Sequence, residues 1–302
     1  MCSYPAPRSR LESVPSDPRF RIHPVLFFHA LRHWMGLNPW GGSLAEGAGW
    51  SVELPLRCRC KLAAGTPAWA HAIGCNCGGI SVAMHDELGK LWEEFVTVLS
   101  GVVAVSGEFA PFGPGDLRRV DSVVASIPGL ALETGLDYTI TGVANQGGVA
   151  AGADCDLGPA IAAEGTKNSK FLKDMVAAGL GFIPVAHETT GAMGPAARDR
   201  LFAPLLEQAK AEEGIRQIAL ANLDLESAPW NARSIRSHFL RRFGVVVARG
   251  VGASLVRAKW EGRVLLRARG LLAPGHPSVR PFSGPARSAS APAGSARARL
   301  GG

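Results

Sequence analysis

The sequence predicts an α/β protein, with an α+β arrangement as the alternative, and three observations lead to that class. Stretches with helical spacing of apolar residues alternate with short runs rich in β-branched residues, as in proteins where helices pack on a sheet. Hydrophobic residues make up 47% of the 302 residues, enough for most of the chain to fold. No stretch approaches the roughly 18 uninterrupted apolar residues of a membrane helix, and no apolar run follows the N-terminal charges, so a soluble, intracellular protein without a membrane partner is expected.

The first half of the chain contains two predicted helices and two predicted strands. Apolar residues recur at three- and four-residue spacing over residues 24–37 and 84–99, which indicates amphipathic helices. Residues 119–127 and 136–141 are rich in β-branched residues and are flanked by turn signals, which predicts strands. The apolar face of the second helix is expected to consist of Leu88, Leu91, Trp92, Phe95 and Leu99.

The second half continues this alternation, and both ends of the chain differ from it in composition. Residues 1–22 and 271–302 are rich in Pro, Ser and Arg. Such segments bury too little apolar surface to order themselves, so both are predicted to be disordered. The remaining predicted elements are a helix at 160–178 capped by Gly179, a strand at 182–187, and helices at 195–213 and 231–243, with residues 244–251 left open.

Charge is unevenly distributed along the chain. The net charge is +7, yet the part after Pro229 has fourteen Lys and Arg residues and one acidic residue, Glu261. The part up to Pro229 has eighteen basic and twenty-four acidic residues. A basic segment of this kind is either a solvated tail or a surface for a polyanion, because phosphate neutralisation dominates non-specific affinity for nucleic acids.

Four of the six cysteines lie within twenty residues, in the pattern Cys58-x-Cys60-x10-His71-x3-Cys75, with Cys77 as an alternative to Cys75. Clustered cysteines in a reducing compartment usually indicate metal binding rather than disulfides. Three thiolates and one imidazole suit a closed tetrahedral zinc site, which stabilises a fold and leaves no open position for catalysis. The alternative is a set of small buried cysteines beside a core histidine.

Two aspartates and two lysines have the chemistry of a site that cleaves phosphodiesters. Asp121 and Asp137 lie near the starts of two predicted strands and would converge if those strands form a hairpin. Lys167 and Lys170 are three residues apart and share one face of a predicted helix. Carboxylates hold Mg²⁺, and a lysine can position water and neutralise developing charge. The alternative is that all four are solvated surface charges.

Several short motifs occur in order along the chain: CRC, HAIGC with Gly-Gly, MHDEL, RRVD, LDYTIT, AAEGTKNSKFL and FIPVAHETTGAMGP. This order resembles the C-terminal region of non-LTR retrotransposon polyproteins, where a zinc knuckle and a restriction-like endonuclease of the PD-(D/E)xK fold follow the reverse transcriptase. The chain departs from the family pattern at Met84, Val120 and Phe171, where the family has Arg, Pro and Tyr. It contains no reverse transcriptase acidic motif, so we expect a fragment or decayed copy of such a protein.

The resemblance implies a restriction-endonuclease-like mixed sheet flanked by helices and preceded by a small zinc knuckle. The implied organisation is a disordered segment at 1–22, a helical lead-in at 23–57, the zinc knuckle at 58–80, the endonuclease domain at 81–215, a basic helical segment at 216–270 and a disordered tail at 271–302.

The resemblance also implies the residues of each site. The paired lysines of the family correspond to Lys167 and Lys170, and Lys170, beside Phe171, is the expected catalytic one. A catalytic Mg²⁺ or Mn²⁺ would be held by Asp121 and Asp137. The implied ligands of a structural zinc ion are Cys58, Cys60, His71 and Cys75. The expected contacts to the DNA backbone are Arg233, Arg236, Arg241, Arg242 and Lys259.

The expected function is metal-dependent nicking of DNA, with the new 3′ end priming reverse transcription in the nucleus. One alternative is a zinc-containing remnant that binds DNA or RNA without cleaving it, and another is a relic with neither activity. Cytoplasmic localisation is the alternative to the nucleus. Other enzyme classes are not indicated, because the sequence lacks a GxSxG elbow, a P-loop and a dinucleotide-binding fingerprint.

Overall fold

The computed structural model describes much of the middle of the chain and residues 235–268 of its basic C-terminal part. Residues 1–20 and 271–302, both predicted to be disordered, lie outside the described residues, as do Cys58, Cys60 and Cys77. The described residues are 21–35, 68–75, 79–102, 104–109, 112, 116–125, 127, 129–130, 132–143, 148, 150–152, 155–211 and 235–268. Within these ranges, no helix combines the length and the apolar character needed to cross a membrane.

Along the sequence, helices come both before and after the strands. Within the described ranges, three helices precede the sheet: α1 (Pro24–Trp34), α2 (Ala68–Gly74) and α3 (Ile80–Ser100). The sheet and its connecting helix are β1 (Val105–Phe109), β2 (Val120–Val124), β3 (Thr134–Thr141), α4 (Gly158–Ala177) and β4 (Gly181–Glu188). The chain continues with α5 (Pro195–Ala197), a π-helical turn (Arg198–Phe202), α6 (Ala203–Ala211) and α7 (Ile235–Ala268).

The four strands form one mixed sheet in the order β1-β2-β3-β4. The β1–β2 and β2–β3 pairs are antiparallel, whereas β3 and β4 are parallel and connected through α4. A parallel pair needs such a crossover because a short turn reverses the chain direction. The predicted α/β class is therefore confirmed at the level of a mixed sheet with flanking helices.

One face of the sheet packs against α3 and α7 through an aromatic core. The predicted apolar face of α3 is confirmed, since all five of its residues are buried. Trp92 lies 4.6 Å from Phe243, and Phe95 stacks on Phe202 at 4.8 Å between ring centroids. Strand β3 contributes Leu136 to the same core. This core fixes the position of α3 relative to the strands.

The other face of the sheet packs against α4. Phe171 and Met175 of α4 contact Val120 and Phe182 in a smaller buried cluster. The predicted helix at 160–178 thus corresponds to α4, and Gly179 adopts the left-handed conformation (φ 74°) just after its end. Alternate residues of β3 consequently contact different helices.

Helix α7 is longer than the sequence predicts. Residues 244–251, left open on the sequence, lie inside a single helix of 34 residues that packs on α1 and α3. A side chain at Gly250 would collide with Met84, and one at Gly252 would collide with the backbone of Leu26. The helix continues through both glycines, whose lack of a side chain lets α7 approach α1 and α3 closely.

Candidate active site

Two aspartates lie on neighbouring antiparallel strands of the sheet. Ser122 of β2 pairs with Leu136 of β3, so Asp121 and Asp137 occupy the next positions across the two strands. The backbone N–H of Tyr138 donates to Oδ2 of Asp121 at 2.6 Å. The hairpin predicted from the sequence is therefore present, and it brings the two predicted carboxylates close together.

Asp137 lies on the α4 side of the sheet and is almost completely buried, with 3% of its surface exposed. Its Oδ2 forms an ion pair with the Lys167 ammonium group of α4. Burial raises the pKa of Asp137, against the charge of Lys167, and the neighbouring charge of Asp121 raises it further. A buried carboxylate of this kind favours additional positive charge beside it, which a proton or a metal ion would supply.

Asp121 is held by helix α3 on its other side. His85 Nε2 lies 3.4 Å from Asp121 Oδ2 and 3.1 Å from the carbonyl oxygen of Tyr138, and Nδ1 lies 3.4 Å from Asp86 Oδ1. The hydrogen bond to Asp121 raises the pKa of His85 to about 9, although burial opposes this shift. A raised pKa favours the protonated imidazole, in which both ring nitrogens are donors.

A third carboxylate, Glu93, lies two turns after His85 on the same helix. Glu93 is half-buried, and burial raises its pKa, as does the charge of Asp121, whereas Lys90 lowers it. Between them, Gly89 leaves room for the Tyr138 ring, since a Cβ there would lie 3.1 Å from it. Helix α3 thus adds an acidic and a basic group to the aspartate pair.

The two predicted lysines have different environments on α4. Lys167 contacts Asp137 directly. Lys170 is exposed, and its Nζ lies 4.4 Å from the centroid of the Phe171 ring. The charge of Lys170 still lowers the pKa of Asp137, so it lies near the site without contacting the carboxylate. The geometry therefore favours Lys167 as the lysine of this cluster, although the sequence resemblance singles out Lys170.

The side chains in this cluster fit a magnesium or manganese ion by their donor chemistry. In the described part of the chain, no three His, Cys, Asp or Glu side chains converge into a metal cage. Mg²⁺ does not need such a cage, because it is usually bound by one or two carboxylates together with water and substrate phosphate. Asp121 and Asp137 provide such hard oxygen donors, and Lys167 only partly offsets the burial of the Asp137 carboxylate.

The predicted zinc ligands are described only in part. His71 lies in the last turn of α2, and Cys75 follows the end of that helix four residues later; both are half-buried. Because Cys58, Cys60 and Cys77 lie outside the described residues, the zinc site and the choice between Cys75 and Cys77 remain predictions.

The arginines predicted to hold DNA have different neighbours on α7. Arg242 forms a two-pronged ion pair with Glu94 of α3, with Nη2 2.7 Å from Oε2. Arg236 is exposed and Arg241 is half-buried. Arg233 and the side chain of Lys259 lie outside the described residues. Arg242 therefore connects two helices of the core.

Sequence reasoning did not assign His85 or Glu93 to the site. The available signal was their eight-residue spacing on a helix, which places both side chains on one face beside the apolar stripe. Comparison of the chain with protein-family models, with curated proteins and with solved structures finds no match.

Proposed function

We propose that this protein is a Mg²⁺- or Mn²⁺-dependent endonuclease that nicks DNA, with a restriction-like fold of the retrotransposon type. The observation that carries the proposal is the convergence of Asp121, Asp137 and Lys167 from β2, β3 and α4. Two carboxylates beside a lysine are the groups that metal-dependent phosphodiester hydrolysis requires.

The order of the elements also supports the proposal. The last five motifs of the sequence resemblance fall on a helix (α3), two strands (β2 and β3), a helix (α4) and the end of a strand (β4). The sheet places the two strand motifs next to each other and α4 across them. A restriction-like endonuclease domain would use this arrangement to bring the metal-binding aspartates and the lysine together in one site.

The roles of the residues follow from their positions. Asp121 and Asp137 would hold the metal ion, which when bound lowers the pKa of water and polarises the phosphate. Lys167 would keep its contact with Asp137 and donate to a phosphate oxygen or to the attacking water. The burial of Asp137 excludes bulk water from one side of the site, which strengthens these interactions.

The zinc knuckle and the DNA-binding surface complete the proposal. A structural zinc ion would be held by Cys58, Cys60, His71 and Cys75, and its binding energy would stabilise the segment that precedes α3. Exposed basic groups, with Arg236 as the described example on α7, would contact the DNA backbone. Action on chromosomal DNA would take place in the nucleus.

A second candidate function is binding of DNA without cleavage. One observation favours it: both aspartates already have protein cations as partners, His85 for Asp121 and Lys167 for Asp137. A site whose carboxylates are neutralised in this way could reject a metal ion. Binding of Mn²⁺ to the purified chain therefore distinguishes the two candidates.

Conversion of supercoiled plasmid to the nicked form tests the proposal. The wild-type chain should nick in the presence of Mg²⁺ or Mn²⁺ and lose this activity in EDTA. Asp121→Asn should abolish nicking, whereas Asp199→Asn, which removes an exposed aspartate paired with its neighbour Arg198, should not. If the wild type and Asp121→Asn both shift DNA and neither cuts it, the binding function replaces the endonuclease.

A further inference from the structure

His85 occupies a position that the catalytic proposal leaves unexplained. We propose that it is a positioning residue, which holds one oxygen of Asp121 so that the other oxygen faces the metal ion. This inference rests on the proposed function. It goes beyond that function by assigning a role to helix α3, which contributes no group to the predicted catalytic set.

The hydrogen bonds at Asp121 are the first step of the inference. Among the described residues, the hydrogen bond and the ion pair of Asp121 both use Oδ2: Tyr138 N–H donates at 2.6 Å, and His85 Nε2 lies at 3.4 Å. With the Tyr138 N–H and the His85 imidazole both at Oδ2, rotation of the carboxylate is restricted. Oδ1 is then the oxygen that can bind a metal ion from a fixed direction.

His85 is itself fixed in place, which a positioning residue must be. Its Nδ1 lies 3.4 Å from Asp86 Oδ1, and its ring meets the Tyr138 ring edge-on at 6.3 Å between centroids. Helix α3 is anchored by the buried side chains of Leu88 and Trp92. A group on a packed helix can hold its partner more accurately than one on a loop.

His85 also connects the two strands that bear the aspartates. Nε2 lies 3.1 Å from the carbonyl oxygen of Tyr138, the residue that follows Asp137 on β3, while it contacts Asp121 at the start of β2. The imidazole therefore joins the two strands beside the carboxylates, whose separation the strand pairing also sets. Mg²⁺ requires near-ideal octahedral geometry, so this separation determines whether both aspartates can bind one ion.

Mn²⁺ binding to the full-length chain, measured by titration calorimetry without DNA, tests this role. Outer-sphere partners of metal ligands typically contribute about tenfold to a hundredfold in metal affinity. We therefore expect His85→Ala to weaken Mn²⁺ binding by about that factor. His85→Gln, whose amide N–H can reach the same oxygen, should recover most of the affinity, and the shorter His85→Asn should not.

The metal-free thermal midpoint of each variant separates positioning from folding. His85→Asn and His85→Gln should melt at similar temperatures while differing in Mn²⁺ affinity, a difference that a purely structural role would not produce. This pair also keeps the test decisive if His85→Ala fails to fold. His23→Ala, which removes the exposed histidine that caps the start of α1, is the control and should bind Mn²⁺ like the wild type.

Three results would overturn the inference or the function on which it rests. Wild-type affinity in His85→Asn, combined with lost affinity in Asp121→Asn, refutes the role of His85 and leaves the endonuclease proposal standing. Equal losses in His85→Gln and His85→Asn, together with equally lowered melting temperatures, also refute positioning. Absence of Mn²⁺ binding by the wild type refutes both.

Discussion

The two faces of strand β3 are buried to a similar degree but by different kinds of neighbour. Leu136 and Tyr138 face α3 and lie in the aromatic core, where the Tyr138 hydroxyl is 2.6 Å from Ser122 Oγ. Asp137, between them, faces α4 and meets Lys167. Asp137 is 3% exposed and Tyr138 is 2% exposed.

The α3 face of β3 stabilises the fold, whereas the α4 face carries a buried carboxylate that costs stability. Burial of apolar side chains stabilises the fold, whereas burial of a carboxylate costs free energy that a single ion pair offsets only in part. The pKa of Asp137 remains raised despite Lys167, so the ion pair does not fully offset the burial of the carboxylate. Burial of a carboxylate at such a cost is common in functional sites, which agrees with the proposed role of Asp137.

The largest expected effect is on the aromatic core. Phe95→Ala should lower the free energy of unfolding by about 3 to 5 kcal/mol, because it removes a fully buried ring stacked on Phe202 and leaves a cavity. Denaturant titration measures this loss. Phe28→Ala is the matched control, since that ring is 44% exposed and its removal should change stability little. Similar losses in both variants would contradict the assignment of the core.

Substitution of the two lysines of α4 tests the face of the sheet that carries Asp137. Lys167→Met should slow nicking about a hundredfold or more, because it removes the cation beside Asp137 that the proposal assigns to the phosphate or the attacking water. Lys170→Met should leave the rate within about threefold, because its ammonium group lies over Phe171 and does not contact Asp137. Single-turnover plasmid nicking distinguishes them. A larger loss in Lys170→Met would return the catalytic role to Lys170.

The choice between these lysines illustrates what the sequence can and cannot predict. Spacing alone places Lys167 and Lys170 on one helix face, but which ammonium group reaches Asp137 depends on the height and rotation of α4 over the sheet. The hairpin was predictable from the turn signals Pro128-Gly129 and Thr134-Gly135 between its strands, whereas the register that brings Asp121 opposite Asp137 follows from the strand pairing. His85 entered the site only through tertiary packing of α3.

The elements of the fold show the same division. Long amphipathic segments such as α3 and α4 were predicted with shifts of a few residues at their ends. Strand β1, with the sequence VSGEF, was missed because its local signal is weak and pairing with β2 defines it. The extent of α7 could not be predicted, because its glycines resemble helix breakers in the sequence. In the structure Gly250 and Gly252 lie at close contacts with α3 and α1.

Acid should destabilise the core face through His187. This side chain is fully buried, accepts a hydrogen bond from Trp92 Nε1 at 3.0 Å and lies beside Phe243. Burial lowers the pKa of His187 to about 3, below the ordinary value of 6.5, so the unfolded chain binds more protons between these values. The stability contribution is therefore present above pH 6.5 and is lost as pH falls towards 3, by at most about 1.4 kcal/mol per pH unit.

Denaturant midpoints of the wild type and His187→Gln between pH 7 and pH 4 measure this dependence. Gln can still accept from Trp92 but does not titrate, so the variant should lose less stability over the range. Parallel curves for the two proteins would show that His187 is not the titrating group.

The smallest expected effects concern the arginines of α7. Arg242→Gln should lower stability by about 1 kcal/mol, because it breaks the part-buried ion pair with Glu94, and should leave the salt dependence of DNA binding unchanged. Arg236→Gln should leave stability unchanged and reduce the salt slope of DNA binding by about 1, as expected for one lost phosphate contact. The reverse pattern would exchange their roles.

The most direct test of the account compares Asp137→Asn with the wild type in two assays: metal-free unfolding and plasmid nicking with Mn²⁺. The account predicts that the variant is at least as stable as the wild type, because a neutral amide replaces a buried carboxylate of similar shape. It also predicts that nicking falls by about a hundredfold or more. A variant that is clearly destabilised and still nicks at the wild-type rate would contradict it, because Asp137 would then serve the fold and not the chemistry.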